Sequence, residues 1–235
     1  INRMPKTKKA IVKRKTRRRR RVNIPRSLFP KNKLVSLRYV WQGALDASAG
    51  GLASKQFNLN GMYDPEVAVG GHQPRGFDQL MAAYNRYCVV SVKAQFINLN
   101  NDTSNDNPPQ YFGLKVSSSA TEIASYSAVD LLESRQKVKM AEGGMIYPTI
   151  HKADSISGRP SVMKLWSAKK YFGGTVVGSD EHTGTASANP TSSSRAILDC
   201  WVGHPSSSVN PASGSYLVIL DYVALFTEPI RLGPS

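Results

Sequence analysis

From residue 34 onward the sequence contains short runs in which side chains alternate, and this constrains the fold more than any other feature. In the first run, residues 34–41, the odd positions hold Val, Leu, Tyr and Trp. Successive side chains of a β-strand point to opposite faces, so a period of two is typical of strands. Similar runs, rich in β-branched and aromatic residues, predict eight strands. They lie near 34–42, 54–60, 86–98, 110–118, 136–141, 160–168, 196–203 and 215–226.

Eight strands with long, irregular connections predict an all-β fold. The architecture that fits best is a single eight-stranded jelly roll, an antiparallel β-sandwich of two four-stranded sheets. An up-and-down barrel would need short, even turns, which this chain lacks. The longest connections are rich in turn-forming or small residues, and we expect them to be loops. They span 98–109, 173–194 and 205–215.

Two short helices are expected between the strands. Residues 77–84 carry apolar side chains at helical spacing, and Pro74 and Gly76 before them predict a turn. Residues 127–133 begin with Ser127, and Asp130 follows at the spacing of a capping box.

Positive charge is concentrated at one end of the chain. There are 31 Lys and Arg and 16 Asp and Glu among the 235 residues, and sixteen of the basic residues lie within residues 1–38. The first acidic residue is Asp46, and the rest of the chain has 15 basic against 16 acidic residues, a net charge of −1. We therefore divide the chain into an arm, residues 1–32, expected to be largely disordered, and a jelly-roll domain, residues 33–235.

The arm has the composition of a nucleic-acid-binding segment. Clustered Lys and Arg attract phosphates, and Arg can form two parallel hydrogen bonds to phosphate oxygens. No aromatic residue precedes Phe29, so we expect contacts to the backbone with little sequence reading. The predicted binding residues are Lys13, Arg14, Lys15, Arg17, Arg18, Arg19, Arg20, Arg21, Arg26, Lys31, Lys33 and Arg38. Tyr39 and Trp41 could stack a base, but core packing is favoured for both.

Targeting alone accounts for the arm less well than nucleic-acid binding does. A nuclear localisation signal needs only about five to eight basic residues, so sixteen favour nucleic-acid packaging together with such a signal. A mitochondrial transit peptide would be amphipathic, whereas five contiguous arginines place charge on every face of a helix. No apolar run of 18 or more residues and no secretory signal is present, so we expect no membrane insertion.

Sequence signatures of catalysis are missing. The chain has no CxxC, no Walker sequence, no GxGxxG before a helix and no GxSxG, and its four histidines lack metal-ligand spacing. We therefore predict no enzymatic activity, no cofactor and no metal. Asp102 and Asp106 could hold calcium at a subunit contact, although a polar turn is favoured. Cys88 and Cys200 lie in apolar runs and are predicted to be buried thiols.

One segment resembles a known family. It runs from Gly70-Gly71-His72-Gln73-Pro74-Arg75-Gly76-Phe77-Asp78-Gln79-Leu80 to Tyr84-Asn85-Arg86-Tyr87. Placed after an Arg-rich arm and before a β-rich domain, it resembles capsid proteins of circular Rep-encoding single-stranded DNA viruses, of which circovirus-like capsid proteins are the nearest. The segment covers about 18 residues, and the general layout covers the whole chain.

The resemblance implies a coat subunit of a virion. Its partners would be other copies of itself in a shell of about 60 subunits, viral single-stranded DNA, nuclear import receptors and a host cell-surface receptor that binds the outer loops. It implies assembly in the host nucleus, with the arm facing inward. The alternative is a cellular nucleic-acid-binding protein, ribosomal or chromatin-like. Ribosomal proteins usually spread basic residues over the folded surface as well, so the net charge of −1 outside residues 1–38 argues against it.

Overall fold

The predicted strands all form, at nearly the predicted positions. A computed structural model describes residues 29–47, 51–68, 71–99, 110–134, 137–141, 161–206, 208–209 and 213–230. Its strands are β1 (Asn32–Leu45), β2 (Leu52–Asn58), β3 (Tyr84–Asn98), β4 (Gln110–Ser117), β5 (Lys137–Ala141), β6 (Ser161–Ser167), β7 (Ile197–Gly203) and β8 (Gly214–Pro229).

The strand order identifies the architecture. Sheet A has the order β1-β8-β3-β6, and sheet B has the order β2-β7-β4-β5. Strands β1 and β8, β2 and β7, β3 and β6, and β4 and β5 pair antiparallel, as in one long hairpin whose tip is β4–β5. Two further pairings, β3–β8 and β4–β7, roll that hairpin into two sheets. This topology is a jelly roll, and it confirms the predicted all-β, eight-stranded fold.

The core lies between the sheets and is rich in aromatic residues. In β1 the odd residues Leu37 and Tyr39 are buried while the even residues face outward, as the alternation predicted. Trp41 is half-buried and packs edge-on against Phe57 of β2, with ring centroids 5.9 Å apart. The favoured core role of Tyr39 and Trp41 is therefore confirmed. Cys88 and Cys200 are buried free thiols, also as predicted.

Three short helices interrupt the strands: α1 (Phe77–Met81), α2 (Ala128–Glu133) and α3 (Ala168–Phe172). The predicted turn before α1 is present, since Phe77 N–H donates to the Pro74 carbonyl, and Gly76 there has φ +91°. Helix α1 ends earlier than predicted because Tyr84 already belongs to β3. Helix α2 has the predicted capping box between Ser127 and Asp130. Helix α3 was not predicted.

The outer faces of the two sheets differ. Residues 118–134, which we call the cover segment, lie over the outer face of sheet B and bury Trp201 of β7 against Ile123 and Leu131. Within the described residues the outer face of sheet A is covered at one end, where Val176 contacts Cys88, and is otherwise more open. Large apolar side chains are exposed there, above all Leu34 and Leu165, at 62% and 76% of their surface.

Residues 173–194 form a loop, as predicted, but the loop has local structure of its own. This stretch contains 3-10 turns at Asp180–His182 and Ser192–Ser194, and Tyr87 of β3 forms a β-bridge with Gly184. Residues 100–109, with the calcium candidates Asp102 and Asp106, and parts of 205–215 lie outside the described residues. No helix in the described ranges is long and apolar enough to cross a membrane.

Candidate nucleic-acid interface

The arm enters the fold at one end of sheet A. The ring of Phe29 packs near that of Tyr84, with centroids 6.1 Å apart, and the Tyr84 hydroxyl donates to the Pro30 carbonyl at 3.1 Å. Lys31 and Lys33 follow at the start of β1, and both are exposed. Because β1 lies beside the end of β8, which lies beside the start of β3, the arm joins the domain where three strands meet.

The remaining predicted residue of the folded domain, Arg38, projects from the outer face of sheet A. Its side chain is 63% exposed and forms a bidentate ion pair with Asp221, with Nε–Oδ1 at 2.6 Å and Nη2–Oδ2 at 3.1 Å. Lys93 of β3 is the register partner of Asp221 on its other side. The Asp221 carboxylate thus lies between Arg38 and Lys93. Arg38 is partly neutralised by it and is not free to make a bidentate contact with phosphate.

The structure brings together only part of the predicted set. Lys31, Lys33 and Arg38 share β1 and the turn into it. The others, Lys13, Arg14, Lys15, Arg17, Arg18, Arg19, Arg20, Arg21 and Arg26, lie outside the described residues, and their role stays a prediction.

Two further cations of this surface were missed by the sequence reasoning. Lys93 and Arg86 both lie on β3, and Arg86 forms ion pairs with Asp180 and with Glu228, the latter at 3.3 Å. Both are cations within a predicted strand, which is the signal that could have marked them. Their partnership with β1 depends on strand order, which alternation alone does not give.

The segment that carries the family resemblance has a structural role. Phe77, Tyr84 and Tyr87 are all buried in the core. The Tyr87 hydroxyl accepts hydrogen bonds from the backbone N–H groups of Met62 and Tyr63, at 3.0 and 3.2 Å. Burial raises the pKa of Tyr87 above its usual value, so the hydroxyl keeps its proton. These three aromatic residues therefore anchor the corner between α1 and β3.

Beside this corner lies a cluster of charged and aromatic residues that contact one another. Glu66 pairs with Lys55 and accepts a hydrogen bond of 2.6 Å from the Tyr39 hydroxyl, while His72 stacks on Tyr39 with centroids 4.5 Å apart. Burial acts to raise the pKa of Glu66, but hydrogen bonds from Lys55 and Tyr39 outweigh it and lower the pKa. Glu66 is therefore an ionised carboxylate, and its ion pair with Lys55 connects a loop to strand β2; it does not act as a proton donor.

Metal binding finds no support among the described residues. No group of three or more His, Cys, Asp or Glu side chains in them is placed to hold an ion.

Comparison with known proteins finds structures that are similar but no detectable sequence relative. No family model and no curated protein matches the chain. A desmodium yellow mottle tymovirus structure is similar over 90% of this chain and 97% of its own, at 12% identity and a TM-score of 0.39. A decameric BFDV capsid protein is similar over 84% of this chain and 99% of its own, at 12% identity and a TM-score of 0.40. A Macrobrachium rosenbergii nodavirus particle is similar over 87% of this chain and 97% of its own, at 13% identity and a TM-score of 0.43. At such low scores these likenesses decide neither family nor function, and the fold assignment rests on strand order and register.

Proposed function

We propose that this chain is a viral coat subunit that assembles into a small closed shell and packages single-stranded DNA through its basic arm. The observation that carries the proposal is the separation of charge from fold. Sixteen basic residues lie within residues 1–38, the rest of the chain has a net charge of −1, and that rest forms a jelly roll. A domain without net charge can pack against copies of itself while its arm neutralises phosphates.

The place where the arm enters supports an orientation for the subunit. Phe29 and Pro30 fix the arm to one end of sheet A, and Lys31, Lys33, Arg38, Arg86 and Lys93 lie at this end or on the outer face of the same sheet. In the proposed shell this face points inward, toward the nucleic acid. Loops that face outward in such a shell would then be available for a host cell-surface receptor.

Subunit contacts are expected at strand edges. Strands β1 and β6 form the edges of sheet A, and β2 and β5 form those of sheet B. Edge strands present unpaired backbone groups that a neighbouring chain can cover. A closed shell of about 60 copies would satisfy these edges by symmetry.

The charge of the arm has the magnitude that packaging needs. About 60 copies, each with sixteen basic residues within residues 1–38, supply on the order of a thousand positive charges, against one negative charge per nucleotide. This would partly neutralise a genome of a few thousand nucleotides. The same basic run would serve as the signal for nuclear import receptors, which places assembly in the host nucleus.

Removal of the arm tests the packaging role. We would delete residues 1–28, which keeps Phe29 and Pro30 against Tyr84. The truncated chain should remain folded, by circular dichroism, and should lose its nucleic acid, measured as the absorbance ratio at 260 and 280 nm of purified material. As a control, four exposed lysines and arginines of the body, Arg75, Lys169, Lys170 and Arg195, are changed to Gln together, which should leave nucleic-acid content unchanged. Equal nucleic-acid content in the truncated and full-length proteins would contradict the proposal.

A further inference from the structure

A cleft of about 350 Å³ opens at the end of sheet A where the arm enters. Its floor is the outer face of the sheet, where Asn32, Thr227 and Arg86 lie side by side in register and Cys88 lies next to them. Its wall is the 173–194 loop, which contributes Val177, among others. Pockets that hold small organic ligands start at about this volume.

Most of the charge in the cleft is internally balanced. Arg86 is paired with Asp180 from the loop and with Glu228 from the end of β8. Glu228 has φ +56°, a left-handed conformation that is uncommon outside glycine, and its carboxylate reaches Arg86 from there. Burial raises the pKa of the Cys88 thiol to about 11, so the floor adds no thiolate charge at neutral pH.

Lys31 is the second cation of the cleft; with Arg86 it balances Asp180 and Glu228, so these four charges sum to zero. Lys31 lines the cleft, is exposed, and in the described part of the chain forms no ion pair. It is also two residues after Phe29, at the base of the arm. Lys31 can therefore bind one anionic group at the mouth, and the rest of the ligand should be neutral.

The residues inside the cleft suit a flat ligand that has an apolar face and polar groups at its edge. Val177 and Pro229 offer apolar surface, while Thr183, Thr227 and Asn32 offer hydrogen-bond donors and acceptors. A nucleobase has this combination of an apolar face and a polar edge, and its phosphate supplies the anion.

We propose that the cleft binds one nucleotide of the strand held by the arm, with its base in the cleft and its phosphate at Lys31. This inference rests on the proposed packaging function and adds a defined contact to it. A base can enter only when it is unpaired, so the cleft would favour single strands over duplex, a distinction that backbone contacts of the arm make poorly.

The test compares full-length variants that fill the cleft or leave it open. Val177→Trp places an indole in the cleft, and the matched control is Val129→Trp on α2, since the two valines are similarly exposed, at 42% and 41%. Lys31→Ala is compared in the same way with Lys169→Ala, because both lysines are exposed and only Lys31 lines the cleft. The probes are short single-stranded DNA and RNA oligonucleotides of one sequence and the DNA duplex, at a salt concentration that weakens the arm's contacts.

We expect Val177→Trp to weaken single-strand binding by about tenfold, the effect of losing one base contact, and to leave duplex binding unchanged. Lys31→Ala should weaken it less, and both controls should match the wild type. Photocrosslinking with a 4-thiothymidine probe should label the 173–184 loop or residues 227–229. If the Trp variant and Lys31→Ala both bind like the wild type and crosslinks map only to residues 1–28, the cleft proposal is wrong while packaging stands. If the wild-type chain binds none of the probes, both proposals fail.

Discussion

The side-chain amide of Asn189 helps to fix the 173–194 loop to the rest of the domain. Its Oδ1 accepts from the backbone N–H groups of Tyr63 and Asp64, at 3.0 and 3.2 Å, and from the Tyr87 hydroxyl at 3.1 Å. Its Nδ2 donates to the Asp64 carbonyl at 2.8 Å. A Cβ at Gly61 would collide with this amide, so the loop and its receptor are closely fitted.

Asn189→Ala should therefore destabilise the domain. The substitution removes the acceptor of the Asp64 N–H and of the Tyr87 hydroxyl, and we expect a loss of about 2 kcal/mol in the free energy of unfolding. Urea unfolding of the dissociated chain at fixed concentration measures it. Asn85→Ala, at an exposed position of β3, is the control and should change stability by less than about 0.5 kcal/mol. Equal stability of the two variants would show that the loop is held by other contacts.

A buried polar cluster beneath the cover segment is the second residue-scale feature. Asp199 of β7 is fully buried and accepts a hydrogen bond of 2.7 Å from the Gln56 amide and another from the Ser117 hydroxyl. Lys115 is also buried, pairs with Glu122, and lies 4.3 Å from the ring centre of Tyr126. Burial raises the pKa of Asp199, whereas the hydrogen bond from Lys115 lowers the pKa of Glu122.

The lowered pKa of Glu122 makes its contribution pH-dependent. Because its folded value lies below its unfolded value of about 4.3, the ionised carboxylate stabilises the fold above that pH and loses this effect as pH falls through the folded value. Glu122→Gln should cost on the order of 2 kcal/mol at pH 7, and the difference from wild type should shrink toward zero in acid. Unfolding measured at several pH values tests this, with the exposed Glu133→Gln as control. A cost that is constant with pH would contradict the ion pair.

At the scale of elements, the cover segment depends on the short helix α2 for its shape. The Ser127 hydroxyl accepts the N–H of Asp130 at 3.2 Å, and the Asp130 carboxylate accepts the N–H of Ser127 at 2.8 Å. The helix then buries Leu131 against Trp201. Trp201 lies over Gly113, where a Cβ would come within 2.8 Å of the indole.

Ser127→Ala should loosen this element without unfolding the sandwich. Loss of the cap costs about 1 kcal/mol, and the effect should be local because α2 lies outside the main core. We expect faster amide hydrogen exchange in residues 118–134 and unchanged exchange in β3 and β8. Ser36→Ala, on the outer face of sheet A, should leave both regions as in the wild type. Faster exchange throughout the domain would mean that the cover segment is part of the main folding unit.

The sequence predicts elements that depend on local patterns and misses those that depend on contacts between distant residues. Strands and the Ser127 cap depend on local alternation and spacing, so they were predicted to within a few residues. The burial of Asp199 depends on the cover segment crossing the outer face of sheet B, which no local pattern encodes. The structure of residues 173–194 depends on Asn189 and Tyr87, which are about a hundred residues apart. Long-range partners of this kind are invisible to periodicity.

The same limit applies to the candidate interface. Composition located the basic arm and the first-strand residues Lys31, Lys33 and Arg38. It could not show that Asp221 pairs with Arg38, or that Arg86 and Lys93 share the surface, because those relations require the order β1-β8-β3. The cleft likewise requires β1, β3, β8 and the 173–194 loop to meet.

At the scale of the whole molecule, the outer faces of the two sheets differ in how they are covered. Sheet B is covered by the chain's own cover segment, while the described residues leave sheet A with exposed Leu34 and Leu165 and a row of charges at its centre. The arm begins at an end of that same sheet. In the proposed shell this face would be enclosed together with the nucleic acid.

The most direct test of the coat-subunit assignment is electron microscopy of the purified full-length chain across a range of salt and pH. We expect closed particles of uniform size that contain nucleic acid, with sheet A facing the interior. A chain that stays monomeric under every condition would contradict the assignment.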